Sequence, residues 1–346
     1  MIAGRLRLFA LATTVLITAA VATFPAAAAT PTPPPQPAHG PGGADYAHLR
    51  VVAREMDQSA QGWWLFTPAD PVPASAPVVV FCHGWGALEP DGYRAWIDHI
   101  VRRGNFVVWL NYQDSLRVPG AQFLPNAIAG VKAAFAYLDA GHAGTKPDWE
   151  RVAVVGHSAG GLLSAELAAV AAQEGLPAFH AVMLVQPGDG SRDGKRRATI
   201  PAADLAPIPA ATRLLVVVGA DDHFAFEQLG LRIYDATVQV PPASKNVLEL
   251  QTDRHGAPAL VANHFAPAAP ANAHAPRRDP SLFAEFEHAG AIDAMDWYGT
   301  WKLFDALGDC AFHDRECEVA LGGSSAQTSM GTWSDGVPVK PMRVLR

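Results

Sequence analysis

A short glycine-rich turn between a strand and a helix limits the possible folds of this chain more than any other segment does. The turn consists of Gly156-His157-Ser158-Ala159-Gly160. The β-branched run at 151–155 predicts a buried strand, and the run at 162–172 is rich in helix-forming residues. A Gly-x-Ser-x-Gly turn between such elements is typical of a nucleophile elbow, which holds a serine hydroxyl at the edge of a sheet. The sequence therefore predicts Ser158 as a nucleophile.

The other segments alternate between strand and helix patterns. Two antiparallel strands are predicted at 48–56 and 62–67. Further strands are predicted at 78–82, 106–111, 151–155, 181–185, 214–218 and 247–250, the last strand, and further helices at 93–103, 127–138, 224–234 and within 284–307. This alternation predicts an α/β fold with a mostly parallel central sheet and helices on both faces. The short connection from 185 to 214 leaves no room for a large lid domain.

Composition places the chain among globular proteins. It has 346 residues, of which 49% are hydrophobic and 17% charged, which is enough for one large core. We therefore expect a single domain at 44–346, and we expect it to be a monomer. The net charge of −7 argues against a nucleic-acid partner.

The first residues carry the pattern of an export signal. Arg5 and Arg7 precede an apolar stretch at 8–24, which small residues follow at 26–29. This pattern predicts a secretory signal peptide at 1–29 and an extracellular or periplasmic protein. The apolar stretch is short and interrupted by threonines, so we expect no stable membrane anchor. Residues 30–43, dominated by Pro, Thr and Gly, are predicted to be a solvated linker.

Export also bears on the three cysteines. Cys310 and Cys317 lie close together in the sequence, and in an oxidising compartment they are expected to form a disulfide. Cys82 lies in a strand-like apolar run without an electropositive helix start beside it. We therefore expect Cys82 to be a buried, inert thiol.

A serine nucleophile needs a carboxylate that orients its base. The predicted strand at 214–218 ends in a glycine turn that contains Asp221 and Asp222. This position, at the carboxyl end of a strand, favours Asp222 as the acid, with Asp221 as the alternative and Asp189 as a more distant candidate. Either acid of the pair could instead cap the helix that follows.

The chain has thirteen histidines, but few of them are suitable candidates for the base. Several of them lie beside triad residues in the sequence or far from any strand end, namely His83, His157, His223, His274, His288 and His313. His255 and His264 remain, and both follow the last predicted strand. His255 is nearer the strand, whereas His264 requires the intervening residues to fold back. Spacing alone leaves both candidates open.

The acyl-transfer chemistry of such a site also needs donors for a developing oxyanion. Residues 81–86, Phe-Cys-His-Gly-Trp-Gly, end the first predicted parallel strand. The backbone amides of Trp85 and Ala159 are therefore the expected oxyanion-hole donors. We expect Trp85, Phe224 and either Trp63 or Trp64 to rim an open cleft.

Together these residues resemble the α/β-hydrolase superfamily, and within it the dienelactone-hydrolase-like and secreted bacterial polyester-hydrolase (cutinase-like) branch. The resemblance extends from about residue 45 to 310. Residues 219–224, Gly-Ala-Asp-Asp-His-Phe, are similar to the acid turn of dienelactone hydrolases, which implies Asp222 as the acid. Residues 264–267, His-Phe-Ala-Pro, resemble a motif of the polyester hydrolases, which implies His264 rather than His255 as the base.

The cleft differs from that of the polyester hydrolases in two places. Residues 252–263 form an additional segment before His264, and Ala159 stands where many of these enzymes have methionine. The aromatic residue after a glycine that supplies an oxyanion amide in these enzymes corresponds to Trp85.

The sequence thus predicts a secreted serine hydrolase that cleaves carboxylic esters through an acyl-enzyme, without a metal or another cofactor. Its substrate is expected to be a small or polymeric ester. An exported acyltransferase with the same triad is the alternative, and an exported peptidase is a weaker one. From a different class, the chain could be a non-catalytic binding protein on a hydrolase scaffold.

Overall fold

The computed structural model describes residues 29–191, 199–270 and 291–346. The chain divides into two units, Met1–Thr30 and Pro31–Arg346, and every element described below belongs to the second. Apart from residue 29, the predicted signal peptide lies outside the described residues. So do His274, His288 and the first part, 284–290, of the predicted closing helix.

Within the described residues, nine strands form one sheet. They are β1 Arg50–Glu55, β2 Trp63–Ala69, β3 Ser75–Cys82, β4 Phe106–Leu110, β5 Lys146–His157, β6 Ala181–Val185, β7 Arg213–Gly219, β8 Lys245–Leu250 and β9 Arg343–Val344. The spatial order is β1-β2-β4-β3-β5-β6-β7-β8-β9. Strands β3 to β8 pair in parallel, whereas β1, β2 and β9 pair antiparallel with their neighbours.

Helices cover both faces of this sheet. They are α1 Arg94–Arg102, α2 Phe123–Asp139, α3 Ala159–Val170, α4 Glu227–Ala236, α5 Trp301–His313, α6 Cys317–Leu321 and α7 Ser325–Thr328. Side chains alternate along each strand, as the pleat requires. In β3, for example, Val78 and Val80 join the core formed with α2, α3 and α4, whereas Val79 and Phe81 join the core formed with α1 and α5. The predicted α/β class is confirmed, and the described residues between β6 and β7 contain no helix that could form a lid.

Several predicted elements differ from the structure, among them β5, which starts at Lys146 rather than at 151, and α2, which starts at Phe123 rather than at 127. The strand at 247–250 is not the last one, because β9 pairs with β8 through Leu248 and Glu249. Strand β9 has two exposed residues, so it lacks a hydrophobic pattern that could predict it. Helix α4 starts at Glu227 rather than at 224. The closing helix starts with a π-helical turn at Met295–Thr300 and continues to the end of α5.

The segment 31–43 packs within the second unit. The Thr32 amide donates to Ser334 Oγ at 2.9 Å, and Trp297 Nε1 donates to the Pro34 carbonyl at 3.1 Å. The Gly42 amide is 2.8 Å from an Asp305 carboxylate oxygen. Composition correctly indicated the lack of regular structure, but these partners are far away in the sequence. The segment is therefore part of the packed unit rather than a solvated linker.

The predicted disulfide is confirmed, since Cys310 and Cys317 are bonded and join α5 to α6. Cys82 is a free, buried thiol, and burial raises its pKa to about 12, which keeps it protonated and unreactive. In the part of the chain that the structure describes, no helix has both the length and the apolar character needed to cross a membrane.

Helix α3 carries a buried acid. Glu166 is 1% exposed, and its Oε1 accepts a hydrogen bond from the Ala203 amide at 3.0 Å. Burial raises the pKa of Glu166 from 4.5 to about 7. Between these pH values the native state keeps a proton that the unfolded chain has released.

We predict that Glu166→Gln stabilises the protein at about pH 8 and has little effect at about pH 4. Because the folded pKa is raised, the free energy of unfolding of the wild type falls as pH rises from about 4.5 to about 7, by up to about 3 kcal/mol. Glutamine keeps the acceptor for the Ala203 amide and cannot ionise. Urea unfolding of both proteins over this pH range measures the difference, and an equal difference at both ends would contradict the interpretation.

Candidate active site

Ser158 lies in a sharp turn between β5 and α3. Its backbone has φ 56° and ψ −122°, a combination that non-glycine residues rarely adopt. The neighbouring glycines are needed because the packing is tight. A Cβ atom at Gly156 would overlap the backbone of Gly160, and one at Gly160 would overlap the carbonyls of Cys82 and His83. The turn therefore presents the serine at the carboxyl edge of the sheet, against the end of β3.

Three predicted side chains meet at this edge. His264 Nε2 is 2.9 Å from Ser158 Oγ, and His264 Nδ1 is 2.8 Å from Asp222 Oδ2. Asp222 follows β7, and His264 is in the loop after β8. The side chains of His264 and Asp222 are 9% and 1% exposed, so their contact is shielded from water. This is the order of nucleophile, base and orienting acid that activation of a serine requires.

The Asp222 carboxylate has two sets of partners. Its Oδ2 faces His264, while its Oδ1 accepts the amides of Phe224 at 2.8 Å and Ala225 at 2.9 Å. Asp222 thus contacts the imidazole and also holds the turn before α4, but it does not cap that helix, whose N-cap residue is Phe226. These backbone donors fix the carboxylate in the plane that it presents to His264.

The alternative acids have other partners. The Asp221 carboxylate accepts the Thr252 hydroxyl at 2.8 Å, and thereby holds the start of the loop that carries His264. The Asp189 carboxylate accepts the Ser191 amide at 2.8 Å and pairs with Arg232 at 3.5 Å. Neither carboxylate is the one that contacts His264.

The alternative base also lies elsewhere. His255 Nε2 is 2.7 Å from Asp335 Oδ2, in the C-terminal part of the chain. Its amide donates to the Asp253 carboxylate at 2.9 Å. The structure therefore brings His264, and not His255, to Ser158. The residues at 251–263 fold back over the sheet edge. The spacing of the two histidines from the strand could not predict this path.

The turn after β3 lies against the elbow. A Cβ atom at Gly84 would be 3.5 Å from Ser158 Cβ. Trp85 follows in this turn, and Ala159 is the first residue of α3. Among the described residues, no protein acceptor is within hydrogen-bond distance of either amide. Two unpaired amides beside a nucleophile, one of them at a helix N-terminus, are suited to a developing oxyanion.

The sequence did not predict the role of His157 in this arrangement. Its buried ring accepts a hydrogen bond from the Tyr93 hydroxyl at Nδ1, 2.6 Å away, and its Nε2–H donates to the His264 carbonyl at 2.8 Å. Burial, followed by the charge of His264, lowers the pKa of His157 well below 6.5. The ring is therefore neutral, and the carbonyl sets its tautomer. Both partners are distant in the sequence, so no local pattern indicated them.

Aromatic side chains line one side of the site. Trp85 and Phe224 are 47% and 46% exposed. The Phe224 ring centroid lies 5.3 Å from that of His264 and 5.6 Å from that of Phe265. The rings of Phe224 and Phe265 thus form an apolar wall beside the base, as the sequence predicts for Phe224. The place of Trp85 at the rim stays a prediction.

The two tryptophans of β2 are not part of this wall. Trp63 is 5% exposed, and its ring centroid lies 5.4 Å from that of Tyr137 in the core. Trp64 is half-buried and stacks on Phe66. The expectation that one of them rims the cleft is wrong, because an aromatic residue in this strand is used for core packing.

A small recess lies between the loop after β6 and the start of α4. It has a volume of about 20 Å³, and Gly188 and Ala225 are among its lining residues. A Cβ atom at Gly188 would be 3.6 Å from Ser158 Oγ, so a side chain there would fill the space next to the hydroxyl. Sites for drug-sized ligands have volumes of about 300 Å³ or more. The recess therefore fits a small group only.

Comparison with known proteins agrees with this geometry. A family model described as an alpha/beta hydrolase fold matches residues 79–229. The matched part contains the turn after β3, Ser158 and Asp222, and ends before His264. No curated protein matches the chain.

The class of fold follows from the sheet and its helices, and the match agrees with it. The sheet topology, the helices on both faces and the elbow after β5 are those of the α/β-hydrolase fold. The match supports the α/β-hydrolase superfamily and a hydrolytic activity. The narrower resemblance to dienelactone hydrolases and polyester hydrolases stays a prediction.

The two neighbouring aspartates offer a matched test of the site. We predict that Asp222→Asn lowers the kcat for an activated ester by about 10⁴-fold, because an amide neither stabilises an imidazolium nor holds the required tautomer. Asp221→Asn should keep kcat within about tenfold, because the Asp221 side chain holds the loop and not the imidazole. Initial rates with p-nitrophenyl acetate compare the two variants. An equal loss in both, or a larger loss in Asp221→Asn, would contradict this division.

Proposed function

We propose that this chain is an exported serine hydrolase that cleaves carboxylic esters through an acyl-enzyme at Ser158. The observation that carries the proposal is the continuous path from Ser158 Oγ through His264 to Asp222, with contacts of 2.9 and 2.8 Å. A hydroxyl is a poor nucleophile at neutral pH and needs a base in contact with it. The two unpaired amides near Ser158 support the same chemistry, since they can stabilise a tetrahedral oxyanion.

In this mechanism Ser158 Oγ attacks the ester carbonyl carbon while His264 Nε2 takes the hydroxyl proton. Asp222 stays ionised and accepts the hydrogen bond from Nδ1–H of the imidazolium. The amides of Trp85 and Ala159 donate to the oxyanion. His264 then returns the proton to the leaving alcohol as the C–O bond breaks. A water molecule, deprotonated by His264, releases the acid from Ser158 by the same steps in reverse.

The surroundings of Ser158 support a preference within the ester class. Gly188 bounds the space next to Ser158 Oγ, and its lack of a side chain leaves room there for a short acyl group. The exposed rings of Trp85 and Phe224 would contact a bulky or aromatic remainder of the substrate, including a segment of a polymeric ester. The exposed aromatic side of the site supports such substrates.

Export is supported by two independent features of the chain. The pattern at 1–29 predicts a signal peptide. The Cys310–Cys317 disulfide is of a kind that persists in oxidising compartments outside the cytoplasm.

We predict that the mature chain hydrolyses p-nitrophenyl acetate and butyrate faster than the palmitate, and that Ser158→Ala lowers kcat by about 10⁶-fold. Short esters should be preferred because the acyl group must fit beside Gly188. Ser158→Ala should be inactive because the acyl group is carried on the Ser158 hydroxyl. Steady-state rates of p-nitrophenol release across the chain-length series measure both effects. Equal inactivity of wild type and Ser158→Ala across the series would sink the esterase proposal.

Two controls make this experiment specific. Ser244→Ala removes another buried serine, at the opposite edge of the sheet beside the start of β8, and should leave the rates unchanged. Adding an alcohol separates hydrolysis from acyl transfer, because a transferase would show a burst in water and faster turnover with the alcohol. A constant rate of p-nitrophenol release with and without alcohol agrees with a hydrolase.

A further inference from the structure

If Ser158 is the nucleophile of an esterase, as proposed above, its base must be held in place although it lies in a long loop. Thirteen residues, 251–263, separate the end of β8 from His264. A connection of this length does not by itself fix an imidazole to within the few tenths of an ångström that proton transfer from Ser158 requires. Other contacts must therefore hold the backbone of His264.

Three consecutive backbone carbonyls, those of residues 262, 263 and 264, each accept a hydrogen bond from a different strand end. The donors are the Asp221 amide after β7 at 3.0 Å, Gln186 Nε2 after β6 at 2.7 Å and His157 Nε2 at the end of β5 at 2.8 Å. We call these three hydrogen bonds the carbonyl clamp. Strands β5, β6 and β7 are neighbours in the sheet. The segment thus crosses three strand ends, and it is held once at each.

The two side-chain donors of the carbonyl clamp are buried. His157 is 1% exposed and Gln186 is fully buried, so water cannot replace either hydrogen bond. Gln186 also has φ 47°, in the left-handed region that is costly for a residue with a long side chain. This costly backbone conformation is retained at a residue whose side-chain Nε2 donates to the Asn263 carbonyl.

His157 also connects the base to the turn that carries Trp85. The Gly84 amide donates to the Tyr93 hydroxyl oxygen at 3.1 Å, and this hydroxyl donates to His157 Nδ1 at 2.6 Å. The His157 ring thus links the backbone of His264 to Gly84, the residue before Trp85 in the turn after β3. A shift of this ring would move both parts relative to Ser158.

We propose that His157 and Gln186 are positioning residues, which hold the backbone of His264 in register with Ser158 through the carbonyl clamp. Neither residue touches the substrate or exchanges a proton with it. Their effect is on the rate of acyl transfer and not on substrate binding. This separates them from a general contribution to folding, which would change the amount of active protein and leave the rate per active site unchanged.

The test compares His157→Phe and Gln186→Met, each of which removes one donor to the segment and keeps a side chain of similar size. Active sites are first titrated with a fluorophosphonate, and kcat and KM for p-nitrophenyl acetate are then measured per titrated site. We expect kcat to fall by about 10- to 100-fold in each variant, with KM within about threefold of the wild type. His157→Gln, which keeps an N–H donor, should recover most of the loss.

Gln239→Met is the matched control. The Gln239 side chain also donates to two backbone carbonyls, those of Leu205 at 2.9 Å and Ile208 at 3.1 Å, away from the triad. This variant should lose thermal stability and keep its kcat. If His157→Phe does not fold, Tyr93→Phe takes its place, because it removes the hydroxyl that orients the His157 ring.

The outcomes separate the two proposals. A normal kcat per titrated site in both clamp variants, or a loss of the same size in Gln239→Met, overturns the positioning role while the esterase function stands. A wild type without Ser158-dependent ester hydrolysis overturns the esterase function and the positioning role together. A loss in kcat confined to the clamp variants, with rescue by His157→Gln, supports the positioning role.

Discussion

The close packing of the elbow against the end of β3 is the constraint on which the rest of this site depends. Gly160 leaves no room for a side chain beneath the carbonyls of Cys82 and His83. This contact brings the turn after β3, which contains Trp85, against the elbow that carries Ser158 and Ala159. A larger residue at position 160 would separate the two turns and with them the proposed oxyanion donors.

The base is held by parts of the chain that are far apart in the sequence. The Asp253 carboxylate accepts Trp333 Nε1 at 3.0 Å and the Lys340 amide at 2.9 Å, which ties the start of the loop to the C-terminal segment. The end of the same loop is held by the carbonyl clamp. The additional residues before His264 are therefore a loop held at both ends. Of the two neighbouring acids after β7, Asp221 holds the start of this loop and Asp222 contacts His264.

Local patterns in the sequence predicted the parts of the structure that local physics determines. Apolar, β-branched strands, the glycine turn at Ser158 and an acid at the end of β7 all follow from nearby residues. Long-range contacts explain what was missed. Spacing alone could not choose between His255 and His264, because hydrogen bonds from three strand ends decide it. The packing of 31–43 depends on Trp297 and Ser334, and the burial of Trp63 depends on Tyr137, none of which is a neighbour in the sequence.

The central claim, that an acyl group is carried on Ser158, is tested most directly by trapping the intermediate. The protein is mixed with p-nitrophenyl butyrate, quenched in acid during turnover, digested and examined by peptide mass spectrometry. We predict a butyryl group on the peptide that contains Ser158, and less of it when the quench follows substrate exhaustion. A butyryl group found on another residue, or none on this peptide while p-nitrophenol is being released, would contradict the account.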